Sequence, residues 1–124
     1  MNATITDAEL EIMKILWREK RPVLFTDLRL ELEDTKHWKT STIQTLISRL
    51  RDKGVIHSVD DRAARYVPDV PKEDYLRAEG QNFLDRVFDG SAKNFVAALC
   101  QSGQLTEADI AELRDYFNGG ASNG

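Results

Sequence analysis

The sequence is poor in the residues that build disulfide frameworks and metal sites. It has one cysteine, Cys100, and two histidines, His37 and His57, among its 124 residues. A single thiol cannot form an internal disulfide, and these three side chains lack the spacing of a zinc site. We therefore expect no metal and no cofactor. We expect Cys100 to be a small, buried apolar side chain, with a thiol sensor as the alternative.

Long apolar runs are also missing. No stretch approaches the roughly 18 apolar residues that span a membrane, and the N-terminal segment MNATITDAELEIM lacks the basic start and apolar run of a signal peptide. We expect a cytoplasmic protein that does not insert into a membrane. Gly-rich phosphate loops, HExxH and GxSxG motifs are absent as well, so we expect no enzyme and no catalytic residues.

Negative charge dominates the whole chain but not its N-terminal part. The net charge is −4, yet residues 1–69 are neutral and residues 70–124 carry the whole excess. Residues 36–53 contain five cations and one acid, for a local charge of +4. Because the local field decides whether phosphates are attracted, the overall charge does not exclude a nucleic-acid partner.

The first predicted helix covers about residues 7–20 and ends before Pro22. Thr6 and Glu9 have the spacing of a capping box. The predicted core face has apolar residues at positions i, i + 3 and i + 7, which are Leu10, Met13 and Trp17, with Leu16 beside them. Ile12 and Ile15 lie off this face, so the helix is expected to contact neighbours on more than one side.

Two more helices and a hairpin follow. Thr26 is the expected N-cap of a helix that runs to about Asp34, and Trp38 is expected to pack at the corner before the next helix. That third helix begins at residue 39 or 40 and ends at Gly54, a predicted left-handed C-cap. Its core face is Ile43, Leu46, Ile47 and Leu50. Residues 55–59 and 64–67 are predicted strands joined by a turn, which completes a winged helix-turn-helix.

Three amphipathic helices are predicted after Pro71, with N-caps at Ser91 and Thr106. Roughly 50 residues of helix rarely bury enough apolar surface to fold alone, and two-fold homodimers are the commonest oligomers. We therefore predict a mainly α chain with a small β-hairpin: a winged-helix domain at residues 1–70, a helical dimerisation domain at 71–118 and a flexible tail at 119–124. The residues expected to mediate dimerisation are Leu76, Phe83, Leu84, Val87, Phe95, Leu99, Ile110, Leu113 and Phe117.

The outer face of the third helix is rich in hydroxyl groups. A helical wheel puts four residues opposite the core face: Ser41, Thr45, Ser48 and Asp52. Thr42 and Arg49 lie on one flank, and Gln44 and Arg51 on the other. Small hydroxyls allow a close approach to base edges, glutamine can pair with adenine, and arginine suits phosphates. A solvated helix face is the alternative for this helix alone. Its position before a hairpin favours DNA binding, and a winged-helix module for protein interaction is the alternative function.

Several segments resemble the penicillinase repressor family (BlaI/MecI type, with the copper-responsive CopY relatives). TDAELEIMKILW at residues 6–17 resembles the family's opening helix. TIQTLISRL at residues 42–50, followed by KGVI, resembles its TIxTLxxRL pattern, and DIAELR at 109–114 resembles its final helix. The resemblance covers about residues 5–117. It implies homodimeric repressors that bind palindromic operators through the winged helix and dimerise through the C-terminal helices.

The resemblance also implies roles for individual residues. Those expected to face the major groove are Lys39, Ser41, Thr42, Gln44 and Thr45. Arg49 would contact a phosphate, and Arg62 and Arg65 would lie at or near the wing. The family often has a basic residue where Gln44 stands, so a different operator preference is expected.

The family further implies how repression ends. In its resistance repressors, a membrane sensor pathway leads to cleavage of an Asn-Phe bond in the penultimate helix, and Asn94-Phe95 stands at the matching place here. An exposed Asn beside a core Phe is the alternative interpretation. The copper-responsive members carry CxC motifs, whereas this chain has Cys100 alone, so copper sensing of that kind is not expected.

Overall fold

The computed structural model describes residues 4–60 and 62–120. Asp61, in the predicted turn, and residues 121–124 of the predicted tail lie outside the described residues. The chain divides between Leu76 and Arg77 into two compact units. The elements of the first unit are α1 (Asp7–Glu19), β1 (Val23–Leu24), α2 (Phe25–Lys36), α3 (Thr40–Asp52), β2 (Ile56–Val59) and β3 (Arg65–Pro68). The next helix, α4 (Lys72–Phe88), begins in the first unit and ends in the second.

The first unit is a winged helix, as the sequence pattern predicts. Its antiparallel sheet has the order β1-β3-β2, with Val67 opposite His57 and Tyr66 opposite Val23. The short strand β1 therefore adds a third strand to the predicted hairpin. Helices α1, α2 and α3 cover a core of fourteen buried apolar side chains, which extends from Ile12 to Tyr66.

The predicted core face of α3 is confirmed, and that of α1 is wrong in part. Ile43, Leu46, Ile47 and Leu50 are all buried. In α1 the buried apolar residues are Ile12, Met13, Ile15 and Leu16, whereas Leu10 and Trp17 are half-buried. Because α1 packs against both α3 and β3, its buried face is wider than a single helical stripe and is rotated toward Ile12.

Hydrogen bonds to backbone N–H groups determine where the helices begin. The capping box of Thr6 and Glu9 is present, and Ser91 caps its helix as expected. Thr26 is not the N-cap of α2, because the N-cap is Leu24, two residues earlier and at the end of β1. The N–H of Phe25 donates to Ala64 O at 3.2 Å, so sheet pairing replaces a side-chain cap at this helix start.

A buried ionic contact joins α1 to the end of α3. Glu9 is fully buried, and its Oε1 accepts hydrogen bonds from Lys53 Nζ and from the Thr6 N–H. Lys53 Nζ also donates to Thr4 O at 2.7 Å. Burial by itself would raise the pKa of Glu9, but the hydrogen bonds from Lys53 and Thr6 lower the pKa below its ordinary value. Glu9 is therefore an anion that spans two elements of the core.

The second unit contains the rest of α4, then α5 (Ala92–Gln101) and α6 (Glu107–Asp115), followed by a π-helical turn, Tyr116–Gly120. None of these three helices contains a buried residue. Cys100 is exposed, so the expectation of a buried thiol is wrong for the single chain. Among the residues that the structure describes, no helix combines the length and the apolar character needed to cross a membrane.

We predict that Glu9→Gln lowers the free energy of unfolding at about pH 7 by about 2 kcal/mol, because Lys53 loses its charged partner at nearly constant side-chain volume. Folding lowers the pKa of Glu9. The carboxylate therefore stabilises the fold above the unfolded-state pKa of about 4.3, and this contribution is lost as the pH falls through the lower folded-state pKa. Urea denaturation should show a difference between wild type and variant that shrinks toward about pH 3.

The matched control is Glu31→Gln. Glu31 accepts hydrogen bonds from Arg18 at 2.6 and 2.8 Å, but this pair lies at the surface. Exposed pairs contribute about 0–1 kcal/mol. A loss for Glu9→Gln no larger than that for Glu31→Gln would contradict a structural role of the buried contact.

Candidate nucleic-acid interface

Helix α3 is presented by a short corner after α2. His37 ends α2 in the left-handed conformation, with φ of 58°, and its N–H donates to Glu33 O at 3.1 Å. Trp38 is half-buried and packs against the core, which confirms the predicted packing role. Thr40 Oγ1 donates to Glu33 Oε1 at 3.2 Å, so this hydroxyl links α3 to α2. These contacts set the direction in which α3 leaves the corner.

The predicted DNA-contacting positions of α3 are all exposed. They are Lys39 at the N-cap, then Ser41, Thr42, Gln44, Thr45 and Arg49. Thr45 Oγ1 donates to Ser41 O at 2.9 Å, inside the helix. The Thr45 hydroxyl proton is therefore in use, and its outward-facing oxygen is left as an acceptor.

A recess of about 330 Å³ separates one flank of α3 from the sheet. Three polar residues of α3 lie along it: Gln44, Ser48 and Arg51. Its other wall comes from the start of α2 and from the chain entering and forming β3: Phe25, Ala64 and Tyr66. Gln44 therefore lies on the side of α3 that faces the sheet, next to the base of the wing.

The turn of the wing is organised by Asp60. Its carboxylate accepts a hydrogen bond from the Arg62 N–H at 3.0 Å and one from Arg65 Nε at 3.4 Å. These contacts, first the backbone one from Arg62, lower the pKa of Asp60. Arg62 is exposed at the turn, whereas Arg65 is half-buried and paired at the start of β3. The two predicted wing cations therefore differ in their freedom to contact another molecule.

The cations of α3 differ from those of α1 and α2 in having no acidic partner. Lys39, Arg49 and Arg51 form no ion pair with any residue in 4–60 or 62–120. By contrast, each cation within α1 and α2 lies within 4.0 Å of a carboxylate: Lys14, Arg18, Arg29 and Lys36. The exposed face of α3 thus combines hydroxyl and amide groups with unpaired positive charge, a surface suited to phosphates and base edges.

Lys53 is held inside the first unit and is not free for a phosphate. It belongs to the stretch with a local charge of +4, but its ammonium is held by Glu9 and Thr4. No spacing rule connects two residues that are 44 positions apart. The capping-box pattern identified Glu9 as a helix-capping residue but gave no signal that it would also bind a distant lysine.

The matches to known proteins agree with this architecture. The sequence profile described as Penicillinase repressor matches residues 5–119. The chain belongs to the penicillinase repressor family. The chain is 34% identical over 110 residues to the penicillinase repressor of Bacillus licheniformis, and the match covers 88% of this chain and 85% of that protein. It is 31% identical over 115 residues to the methicillin resistance regulatory protein MecI of Staphylococcus aureus (strain N315), covering 92% and 93% of the two chains.

Two solved structures resemble the family member's winged helix. One is a solution structure of the DNA-binding domain of the repressor BlaI, with a TM-score of 0.52 and 35% identity over 60% of this chain and 94% of that chain. The other is the monomeric form of Bacillus licheniformis BlaI in complex with the blaP half-operator. It gives a TM-score of 0.53 and 34% identity, over 60% of this chain and 92% of that chain.

We predict that Gly54→Ala lowers the free energy of unfolding by about 1 kcal/mol, through backbone strain alone. Gly54 has φ of +75° at the end of α3, and a Cβ there would meet no atom within 4 Å. Gly54→Asn should cost less, because asparagine tolerates the left-handed region better than alanine. Urea denaturation of both variants measures the difference, and equal losses would contradict backbone strain as the cause.

Proposed function

We propose that this protein is a cytoplasmic transcriptional repressor that binds double-stranded operator DNA as a homodimer. The observation that carries the proposal is the exposed face of α3, where Lys39, Arg49 and Arg51 remain unpaired beside a row of hydroxyl groups. Residues 1–70 form the DNA-binding domain and residues 71–118 the dimerisation domain. The relatives from Bacillus licheniformis and Staphylococcus aureus, a penicillinase repressor and a regulatory protein, support this function.

The residues of α3 divide into two groups by chemistry. Ser41, Thr42, Gln44 and Thr45 read base edges in the major groove, while Arg49 contacts a phosphate. Since the Thr45 hydroxyl donates to Ser41 O, it offers an acceptor to the groove, which suits the amino group of cytosine or adenine. Its methyl group suits the methyl of thymine.

Gln44 is the proposed specificity residue nearest to the wing. It lines the recess between α3 and Tyr66, whereas Arg49 lies on the other flank of the helix. An amide can donate and accept at once, so Gln44 is able to pair with adenine at two atoms. We propose that the operator carries an adenine where Gln44 enters the groove.

The wing contributes charge through Arg62. Its guanidinium is exposed and forms no ion pair with a described residue, whereas Arg65 is paired with Asp60. Arg62 is therefore the stronger candidate for a phosphate contact at the edge of the major groove. Arg65 holds the turn through its Nε contact with Asp60, which leaves its two terminal amino groups for DNA.

The proposed dimer interface is the apolar surface of the second unit. Helices α4, α5 and α6 have no buried residue, although three phenylalanines pack together: Phe83, Phe88 and Phe95. Phe83, Val87, Ile110 and Leu113 are each 37–49% exposed, and Phe117 is 64% exposed. Of the other proposed interface residues, Leu84 and Leu99 are at most half-buried. Leu76 is 54% exposed and is the last residue of the first unit. Exposed apolar surface of this extent favours pairing with a second copy.

Dimerisation determines what the DNA site looks like. A two-fold dimer presents two α3 helices, which enter successive major grooves roughly 34 Å apart on one face of the duplex. The matching operator is a palindrome, because each half-site meets the same residues. Binding over a promoter would then exclude polymerase.

Cleavage of the Asn94–Phe95 bond is the proposed route to induction, through a sensor protease pathway. The bond lies in the first turn of α5, where the Asn94 N–H donates to Ser91 Oγ at 3.1 Å. Phe95 contacts Phe83 and Phe88, with ring centroids 5.5 and 5.2 Å apart. Cutting this bond would separate α4 and the first three residues of α5 from the rest of α5 and from α6, and so weaken the dimer.

We predict distinct effects of two α3 substitutions on DNA binding. Gln44→Ala should lower the preference for operator over random duplex by about ten-fold, because a base contact is lost. Arg49→Ala should weaken binding to both duplexes and reduce the salt slope by about one, because a phosphate contact is lost. Operator sequences come from selection in a random duplex pool, and affinities from titration at several salt concentrations.

The matched control for these variants is Lys93→Ala, which removes an exposed cation in α5. It should leave affinity and salt slope unchanged. An unchanged salt slope for Arg49→Ala would contradict its phosphate role. If the wild-type chain binds no duplex even at low salt, the protein is instead a winged-helix module for protein interaction.

We predict that Leu113→Glu converts the dimer into a monomer, because it puts a charge in the proposed interface. Ala108→Glu is the control, since Ala108 is exposed and lies on the opposite side of α6. A chain truncated after Asn94 should also be monomeric. Sedimentation equilibrium measures the oligomeric state of the wild type, the two substitution variants and the truncated chain. A dimeric Leu113→Glu variant would contradict the interface, and a dimeric truncated chain would contradict induction by cleavage.

A further inference from the structure

A second candidate site lies in the first unit, away from α3. It is a cleft of about 950 Å³ between α1, the end of β3 and the first turns of α4. We call it the α1–β3 cleft. The apolar residues that line it are Leu10, Leu16, Trp17, Pro22, Val67, Pro68 and Leu76. Its volume is that of a small-molecule site, and no residue of α3 contributes to it.

Trp17 forms the apolar floor of the α1–β3 cleft and is held in place by two contacts. The indole N–H of Trp17 donates to Val70 O at 2.8 Å, and its ring packs against Tyr75 with centroids 5.4 Å apart. Because the indole N–H is satisfied within the protein, Trp17 offers the cleft an apolar ring surface.

The rim of the α1–β3 cleft is cationic. Five cations line it, against the single carboxylate of Glu73: Lys14, Arg18, Lys20, Arg21 and Lys72. Lys14, Arg18 and Arg21 are each paired with a glutamate of α1 or α2. Lys20 and Lys72 form no ion pair with a described residue. Two ammonium groups at the rim are therefore available to an anion.

We propose that the α1–β3 cleft binds a small anionic amphiphile, an acyl carboxylate. Its hydrocarbon chain covers the apolar floor at Trp17, and its carboxylate is held at the rim by Lys20 and Lys72. Charge complementarity selects this occupant, since a carboxylate forms ion pairs with the two ammonium groups and a neutral apolar molecule does not. A phosphate backbone matches the rim but not the floor.

Intrinsic fluorescence tests the proposal directly. The chain has two tryptophans, so Trp38→Phe leaves Trp17 as the sole reporter in the full-length protein. Decanoate should change the emission of Trp17 saturably at submillimolar concentration. Decan-1-ol, with the same chain and no charge, should bind about ten-fold more weakly, which corresponds to about 1.4 kcal/mol. Equal affinity for the two compounds would overturn the proposal that the lysines at the rim bind the carboxylate.

A pair of double variants in the Trp38→Phe background isolates the two lysines. Lys20→Gln with Lys72→Gln should raise the Kd for decanoate about ten-fold and leave that for decan-1-ol unchanged. Arg86→Gln with Lys93→Gln removes the same charge from exposed positions in α4 and α5 and should change neither Kd. Both double variants should keep the parent's melting temperature, since all four side chains are exposed. Equal Kd values for the two double variants, or no saturable response to decanoate, would overturn the proposal.

Discussion

The position of α3 depends on one buried contact between the first helix and the end of the third. Glu9 is fully buried, and the energetic cost of a buried carboxylate is offset only while Lys53 and Thr6 remain in place. Any sliding or rotation of α3 would separate Lys53 from this carboxylate. The hydroxyl-rich face is thus fixed by an ionic contact at one end and by the buried face of Ile43 to Leu50 along its length.

Local patterns predicted most of the first unit, and the errors occur where distant elements meet. The spacing of apolar residues in α3 is that of a helix buried on one side, so its core face could be predicted from the sequence. Helix α1 contacts both α3 and β3, which confirms the prediction made from Ile12 and Ile15 that it has neighbours on more than one side. The predicted stripe was wrong only in that Leu10 and Trp17 are half-buried. The start of α2 was missed because Phe25 pairs with Ala64 across the sheet.

The candidate interface shows the same division between local and distant effects. Which residues of α3 face outward follows from helical periodicity, and all of them are exposed. Helical periodicity does not show which polar groups of these residues remain free to contact DNA. Thr40 is bound to Glu33, and Lys53, directly after α3, is bound to Glu9, through contacts that only the folded chain creates. The same holds for Arg65 of β3, which is bound to Asp60. Arg49 has no such partner, and no sequence rule distinguishes it from Lys53.

Charge is distributed unequally between the two parts of the chain. Residues 70–124 carry the entire excess of −4, whereas residues 1–69 are neutral overall. The cations within α1 and α2 are paired with acids, whereas those of α3 are not. Among these three helices, α3 therefore carries the unpaired positive charge. The acidic second part repels phosphates, which favours contact of DNA with the unpaired cations of α3 and the wing. A chain of negative net charge can thus bind DNA specifically, since pairing decides which cations act on a phosphate.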